Sequence, residues 1–233
     1  MPYAIISGGT QGIGKATAEK LLSNGYSVAI CARNPEDLQE LTAVWKAQYP
    51  AAQVLAIPTD MTKKEEVLDF AKAVLDIFPV IDVLVNNAGT YYPGNIATEP
   101  DGQLENLMAL NMYSAYYLTR AVLPAIKKNG KGHIFNMCSI ASLRAYPNGG
   151  AYSISKYALL GFSENLRLEL VPDKIKVTSI CAGAVYTRSW GDSVDPNRIM
   201  KPEDIADSIW SALSLSTQAN IDTIIIRPQQ GDL

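Results

Sequence analysis

Tyr152 and Lys156 stand four residues apart in Tyr-Ser-Ile-Ser-Lys, at the head of a stretch with helical spacing that runs to about Leu170. That interval places both side chains on one helix face. A phenol with an ordinary pKa near 10 is a poor proton donor or acceptor at neutral pH, and an ammonium beside it favours the phenolate. At roughly 5 Å and an effective dielectric near 20, the attraction is about 3 kcal/mol, or roughly two pK units, which would bring the phenol toward pH 7 to 8. Taken alone, Tyr-x-x-x-Lys is a common accidental spacing, and a surface Tyr-Lys pair is then the plainer reading.

A second group lies at the start of the chain. An apolar run from Tyr3 to Ser7 enters Gly8-Gly9-Thr10-Gln11-Gly12-Ile13-Gly14, and a helical pattern carrying Ala16, Ala18, Leu21 and Leu22 follows at once. A glycine-rich turn from a buried strand into a helix lets backbone N–H groups approach a pyrophosphate, and the helix N-terminus adds a favourable dipole. The spacing is G-x-x-x-G-x-G, so the common G-x-G-x-x-G fingerprint does not fit. Tight turns also use glycine for backbone geometry alone, but this position between first strand and first helix favours a dinucleotide. The second strand ends at Cys31-Ala32-Arg33-Asn34, where an NAD-specific protein would carry a ribose-reading carboxylate. Ala32 and Arg33 supply no acid, and a guanidinium grips a 2′-phosphate through a bidentate fork. Unless Arg33 is only a solvated helix-start residue, NADP(H) is expected in preference to NAD(H).

Composition excludes much other chemistry. Among 233 residues 18% are charged, the net charge is −3, and there are three cysteines and one histidine. Cys31, Cys138, Cys181 and His133 each stand alone in their segments, so no zinc spacing can be written and no metal is expected. The cysteines read as small buried hydrophobes and His133 as structural. No basic stripe points to nucleic acid. No apolar run approaches the roughly 18 residues of a membrane helix, and the opening MPYAIISGGT lacks the regions of a signal peptide. A cytoplasmic address follows as an expectation.

A frame must hold these groups, and short Val- and Ile-rich runs alternate with helical stretches throughout. The runs predict strands over Tyr3 to Ser7, Ser27 to Ala32, Gln53 to Ile57, Ile81 to Asn86, His133 to Cys138, Lys176 to Cys181 and Thr223 to Ile226. Near-continuous apolar strands are buried on both faces of a parallel sheet. Asn34-Pro35 predicts a helix N-cap, Gly25 a helix stop, and Thr62 to Glu65 a capping box. The fold predicted is α/β: one domain over residues 1–233, a Rossmann-like, doubly wound, parallel seven-stranded sheet with helices on both faces.

Taken in order, SGGTQGIG, Asp60 after strand three, Asn86-Asn87-Ala88-Gly89 after strand four, Asn111, Ser139 after strand five and Tyr152-Ser-Ile-Ser-Lys156 resemble the short-chain dehydrogenase/reductase family, single-domain type. The resemblance runs from Ile5 to Thr187, and the ordered set is far more specific than any one motif. It implies an oxidoreductase in which Tyr152 exchanges a proton with a carbonyl or alcohol oxygen and Ser139 holds that oxygen. Lys156 would hold the nicotinamide ribose and lower the tyrosine pKa, and Asn111 would order a water leading to solvent. It further implies that Gly8, Thr10, Gln11, Gly12, Ile13 and Gly14 meet the diphosphate. Asp60 and Met61 would flank the adenine, Asn87, Ala88 and Gly89 would line the adenosine side, and Val185 and Thr187 would receive the carboxamide and diphosphate. Two departures stand out. Gln11 occupies a place often basic in NADP users, and Ala182-Gly183 replaces the usual Pro-Gly, which would loosen a turn of the nicotinamide pocket.

The segment RSWGDSVDPNRIM between Thr187 and Lys201 is short, implying a small lid and an open site. Arg144, Tyr146, Tyr186 and Trp190 are candidate substrate contacts, although packing and solvation account for such residues equally well. The tail, with KPEDIADSIWSALS and IDTIIIRP, resembles the NADP-dependent 3-hydroxy-acid and serine dehydrogenase branch more than the 3-oxoacyl-carrier-protein reductases. A small 3-hydroxy acid or its ketone is the expected substrate. A 3-oxoacyl-carrier-protein-like or general carbonyl/diketone reductase, and a non-catalytic NADP sensor, are the alternatives. Homodimers or homotetramers are implied by the family alone.

Overall fold

The computed structural model describes residues 1–190 and 194–232. Seven strands, β1 (Tyr3–Ser7), β2 (Ser27–Ala32), β3 (Val54–Pro58), β4 (Val83–Asn86), β5 (Gly132–Asn136), β6 (Ile175–Ala182) and β7 (Thr223–Ile226), form one sheet in the order β3-β2-β1-β4-β5-β6-β7. Every neighbouring pair is parallel. The Rossmann-like sheet predicted is therefore present. Strand ends shift by one or two residues from the apolar runs, most visibly at β5, which stops at Asn136 before Met137 and Cys138.

Alternation along each strand divides the core. Ala4, Ile6, Val28, Ile30, Val85, Phe135 and Ile180 face α1 (Gly12–Ser23), α2 (Pro35–Gln48) and α7 (Pro202–Leu213), whose Leu21, Leu22, Trp45, Ile205 and Ile209 cover them. Ile5, Ala29, Leu84, Ile134 and Val177 point to the other face. There Phe70 of α3 (Lys64–Leu75), Leu118 and Val122 of α5 (Ser114–Lys128) and Leu166 of α6 (Gly150–Leu170) seal them. Burying apolar side chains on both faces is why these runs carry no polar alternation.

Helix ends follow the residues in two of three predicted cases. Asn34 accepts from the Glu36 N–H at 2.9 Å ahead of Pro35. Gly25, at φ +81°, ends α1 in the left-handed region that glycine tolerates. The capping box at Thr62 does not form, because the Thr62 hydroxyl donates to Asp60 Oδ1 at 2.7 Å. Glu66 takes over by accepting from the Asp60 N–H at 2.7 Å, and α3 starts at Lys64.

His133 is buried and stacked on Phe135, ring centroids 3.9 Å apart. Its Nε2 lies 2.7 Å from Thr178 Oγ1, and that hydroxyl donates to Ile221 O at 2.6 Å. The threonine has only lone pairs left for the ring, so Nε2 carries the proton. Burial, helped by the Lys176 charge, lowers the His133 pKa to about 3.

Candidate active site

The strand order reverses between β1 and β4, and in open parallel sheets a ligand crevice lies at such a switch point beyond the carboxyl ends of the strands. The first such end is the glycine turn. Gly8 and Gly12 have φ of +69° and +52°, and both Gly8 and Gly9 donate to Cys31 O, at 3.0 and 3.1 Å. A Cβ on Gly14 would stand 2.1 Å from Gly8 O and 2.5 Å from Asn87 Nδ2, so α1 enters in backbone contact with the turn. Gln11 caps α1 without a side-chain hydrogen bond, and the first-turn N–H groups of a helix lack intrahelical partners. Bare N–H groups at a helix start, reached without side chains in the way, fit a pyrophosphate.

The residues after β4 buttress this turn. Ser7 Oγ accepts from both the Asn87 and Ala88 N–H groups at 3.0 Å, while Asn87 Nδ2 donates to Ser7 O and Gly8 O, each at 2.9 Å. The Asn87 side-chain NH2 is thus spent on holding the shape of the turn. Other positions are similarly divided between backbone and side chain. Ile13 packs against the core that contains Val185, and Met61 is buried in the opposite core. Cys31 Sγ contacts Met61 Sδ at 3.5 Å, so the Met61 side chain is committed to the core. Thr187 lies beside the turn, its Cγ2 3.0 Å from where a Gly12 Cβ would stand. Thr10 is half-buried in the turn itself.

At the edge of the cleft Arg33 is exposed just past β2. It faces the neighbourhood of Asp60. Partial burial raises the Asp60 pKa, but hydrogen bonds from Thr62 and the charges of Lys63 and Arg33 outweigh this and hold it below the usual carboxylate range. The Asp60 carboxylate is therefore committed to Thr62, while the Arg33 side chain stays exposed beside it.

The second part of the site assembles around Tyr152. Ser139 follows β5 and caps a single 3₁₀ turn, Ile140–Ser142, its Oγ accepting from the Ala141 N–H at 3.1 Å. The same oxygen lies 3.5 Å from Ala182 O at the end of β6 and acts on the Tyr152 phenol by hydrogen bonding. Tyr91 stands edge-on to the Tyr152 ring, centroids 4.8 Å apart at 80°. Lys156 is buried and donates to Met137 O at 2.7 Å, with its Nζ 5.9 Å from the centre of the Tyr152 ring. Strand β5 ends early for this purpose: released from the ladder, the Met137 carbonyl anchors the ammonium.

Asn111 sits in a π-helical turn, Ala109–Tyr113, between α4 (Gln103–Met108) and α5. Wide turns of this kind redirect a side chain inside an otherwise regular helix. Asn111 Oδ1 accepts from the Thr90 N–H at 2.8 Å, and Nδ2 donates to Thr90 O and Ser155 Oγ, both at 3.0 Å. A Cβ on Gly89 would stand 3.1 Å from Asn111 Oδ1 and 3.5 Å from Lys156 Nζ, so glycine keeps the space between these two groups open.

The protonation pattern corrects the simple pair picture. The Lys156 ammonium is turned to Met137 O and stands 5.9 Å from the centre of the Tyr152 ring, and the phenol does not fall toward neutrality. Burial pushes the Tyr152 pKa up to about 12 against the Ser139 hydrogen bond, which lowers it. Burial also lowers Lys156 to about 8. Desolvation wins at both groups because the helix that aligns them also removes them from water, a cost that spacing along a sequence does not contain.

Of the four substrate candidates, Tyr146 is brought beside Tyr91 and Tyr152, and burial with the nearby Tyr91 raises its pKa. Trp190 donates to Val185 O at 2.8 Å, and the Tyr186 N–H donates to Met200 O at 2.8 Å, so both help tie down the segment after β6. Arg144 is turned to the rim, where its Nη2 donates to Asp232 Oδ2 at 3.2 Å. The expected lid includes residues 191–193, which lie outside the described residues. The turn expected to loosen without proline instead continues β6: Ala182 pairs with Ile226, and the Gly183 N–H donates to Ile226 O at 2.8 Å. Among the described residues there is no group of three His, Cys, Asp or Glu side chains that could hold a metal ion, and no helix is long and apolar enough to cross a membrane. Reading the residues in order passed over Met137 and Ser155, and marked Ser7 without its role in holding Asn87 and Ala88. Only Ser7 had a local signal, as a hydroxyl leading into the glycine turn.

Residues 2–197 match the short chain dehydrogenase family. An uncharacterized oxidoreductase of Staphylococcus epidermidis is 30% identical over 226 residues, 97% of this chain and 96% of that protein. An alcohol dehydrogenase of the archaeon Thermococcus sibiricus, solved with 5-hydroxy-NADP, superposes with a TM-score of 0.93 at 27% identity, covering 100% of this chain and 99% of the other. A serine dehydrogenase solved with NADP+ superposes with a TM-score of 0.87 at 27% identity over 99% and 96% of the two chains. The chain belongs to the short-chain dehydrogenase family, which is a family of oxidoreductases. Its kinship with dinucleotide-bound structures supports a nicotinamide dinucleotide as its cofactor.

Proposed function

We propose that this protein interconverts a carbonyl and a secondary alcohol with NADP(H). The observation that carries this reading is the convergence of Ser139, Asn111 and the α6 pair Tyr152 and Lys156 from three separate elements on one cleft, next to a glycine turn built for a pyrophosphate. The dinucleotide supplies or accepts the hydride. Gly8 to Gly14 would hold its diphosphate through backbone N–H groups, with Arg33 at the adenosine end favouring a 2′-phosphate.

In the reductive direction the Tyr152 hydroxyl donates its proton to the carbonyl oxygen while Ser139 Oγ holds that oxygen and stabilises its developing charge. A phenol pushed up to about 12 keeps its proton until an oxyanion forms. The Lys156 cation then stabilises the phenolate, and the space kept by Gly89 between Lys156 and Asn111 admits a water for reprotonation. In oxidation the same groups run in reverse.

The substrate reading favoured is a small 3-hydroxy acid or the matching ketone, supported by the tail pattern and the likeness to serine dehydrogenases. The tyrosine pair Tyr91 and Tyr146 beside Tyr152 favours a second reading, reduction of planar uncharged carbonyls or diketones. Exposed Ile154, Tyr157 and Leu168 on α6 suit a homodimer or homotetramer, to be measured by light scattering. The test of the chemistry is Tyr152→Phe, with NADPH titration and turnover read together. Binding retained with turnover lost supports the assignment, and substantial remaining turnover removes Tyr152 from it. A panel of 3-oxo acids, diketones, quinones and aldehydes separates the substrate classes.

A further inference from the structure

Two residues where the loop from Ser139 enters α6 have positive φ, Asn148 in the loop at +60° and Gly150 at the first position of α6 at +37°. A non-glycine residue held there costs energy and persists only where its surroundings fix it. On one side the Gly94 N–H donates to Asn148 O at 3.0 Å, and Glu99 Oε2 accepts from the Ala151 N–H at 3.2 Å. The other side is fixed from a distant part of the chain.

Past β7 the backbone turns back on itself, the Gly231 N–H donating to Pro228 O at 2.9 Å, and returns Asp232 to Arg227. One carboxylate oxygen, Asp232 Oδ2, accepts from Arg227 Nη1 at 3.1 Å and from Arg144 Nη2 at 3.2 Å. Arg198, in the segment between β6 and α7, donates to the carbonyls of Gln230, Gly231 and Asp232 at 3.3, 3.0 and 3.2 Å. The second oxygen, Asp232 Oδ1, is buried without a partner and lies 3.2 Å from where a Gly183 Cβ would stand. Three loops at the carboxyl edge of the sheet, those after β5, β6 and β7, therefore meet at one carboxylate. An isolated exposed ion pair contributes little. Here a single negative oxygen holds together two guanidiniums that repel one another without it, and it does so against the backbone at the end of β6.

We propose that Asp232 is a positioning residue for turnover: by clamping Arg144 to the ends of β6 and β7 it sets the distance between the loop bearing Ser139 and Tyr146 and the opposite wall of the cleft. The proposal rests on the reading of Tyr152 and Ser139 as the reacting site. Asp232 touches neither substrate nor the proton-transfer groups, so its loss acts on substrate fit.

The test uses the full chain with Asp232→Asn, Asp232→Glu, Arg144→Gln and the Asp232→Asn/Arg144→Gln double variant. Asp232→Asn is expected to raise KM for the carbonyl substrate about three- to fivefold, the scale of a partly exposed charged network, while kcat stays within about twofold and NADPH affinity is unchanged. Asp232→Glu restores part of the KM, and the double variant is no worse than Asp232→Asn alone, because that change already removes the link Arg144→Gln would break. Hydrogen exchange in peptides covering residues 143–149 is faster in Asp232→Asn. Unchanged exchange there overturns the proposal, as does an additive double variant or a loss of NADPH affinity in step with KM, which marks a merely structural role. Exchange and NADPH binding need no turnover. If the native protein reduces no carbonyl compound, the functional reading fails while those two measurements still decide on Asp232.

Discussion

Replacing His133 by Gln removes the one imidazole of the chain from its buried place on β5. The glutamine amide can still offer an N–H to Thr178 Oγ1, but it cannot titrate. Burial first, and the Lys176 charge second, lower the His133 pKa from 6.5 to about 3 in the folded protein. The folded value lies below the unfolded one, so between these pH values the unfolded chain binds a proton that the folded chain refuses. Stability from this group is therefore full above pH 6.5 and is lost as pH falls toward 3. At about 1.4 kcal/mol per pH unit for one proton, two units below the unfolded pKa remove about 3 kcal/mol. Urea unfolding of both proteins at about pH 7.5 and about pH 4.5 measures it, since carboxylate titration is common to both and cancels in the difference. The variant's stability relative to the native protein should improve by about 3 kcal/mol at the lower pH. An unchanged difference between the two conditions would refute the neutral, Nε2-protonated assignment.

Other consequences follow from the same geometry. Carbonyl reduction should decline as pH rises through about 8, where the buried Lys156 loses its charge, and a kcat/KM profile flat up to the range of the phenol would contradict that role. Gly14→Ala should abolish NADPH binding and lower Tm, because its Cβ meets Gly8 O at 2.1 Å. Gly161→Ala in α6, where a Cβ meets nothing within 4 Å, should be neutral or more stable by roughly 0.5 kcal/mol. NADPH binding to Gly14→Ala at native affinity would show that the turn yields. Arg33→Asp should swing coenzyme preference toward NADH, and equal use of both coenzymes by the native protein would defeat the assignment of Arg33.

Much was legible along the chain because it depends on local rules. Alternating apolar strands and helices specify a parallel sheet whatever the loops do, and a glycine turn between the first strand and helix has few other uses. Tyr152 and Lys156 needed only helical periodicity to share a face. The Asn34 cap is local too, and appears as read. The Thr62 cap failed because Asp60, two residues away, competes for the same hydroxyl.

Tertiary structure decided what depends on burial and on partners far apart in sequence. The Tyr152 and Lys156 protonation states are set by desolvation inside the assembled cleft, which spacing along the chain does not reveal. Lys156 is aimed by a carbonyl 19 positions away, the Asn87 amide is turned onto Ser7 and Gly8 80 and 79 positions away, and Arg144 is claimed by Asp232 88 positions away. Residue types and their order name the chemistry this chain can carry. Which atoms are dry, which hydrogen bonds are already spent and which guanidiniums remain open to a ligand are properties of the packed fold, because each follows from contacts that chain order does not encode.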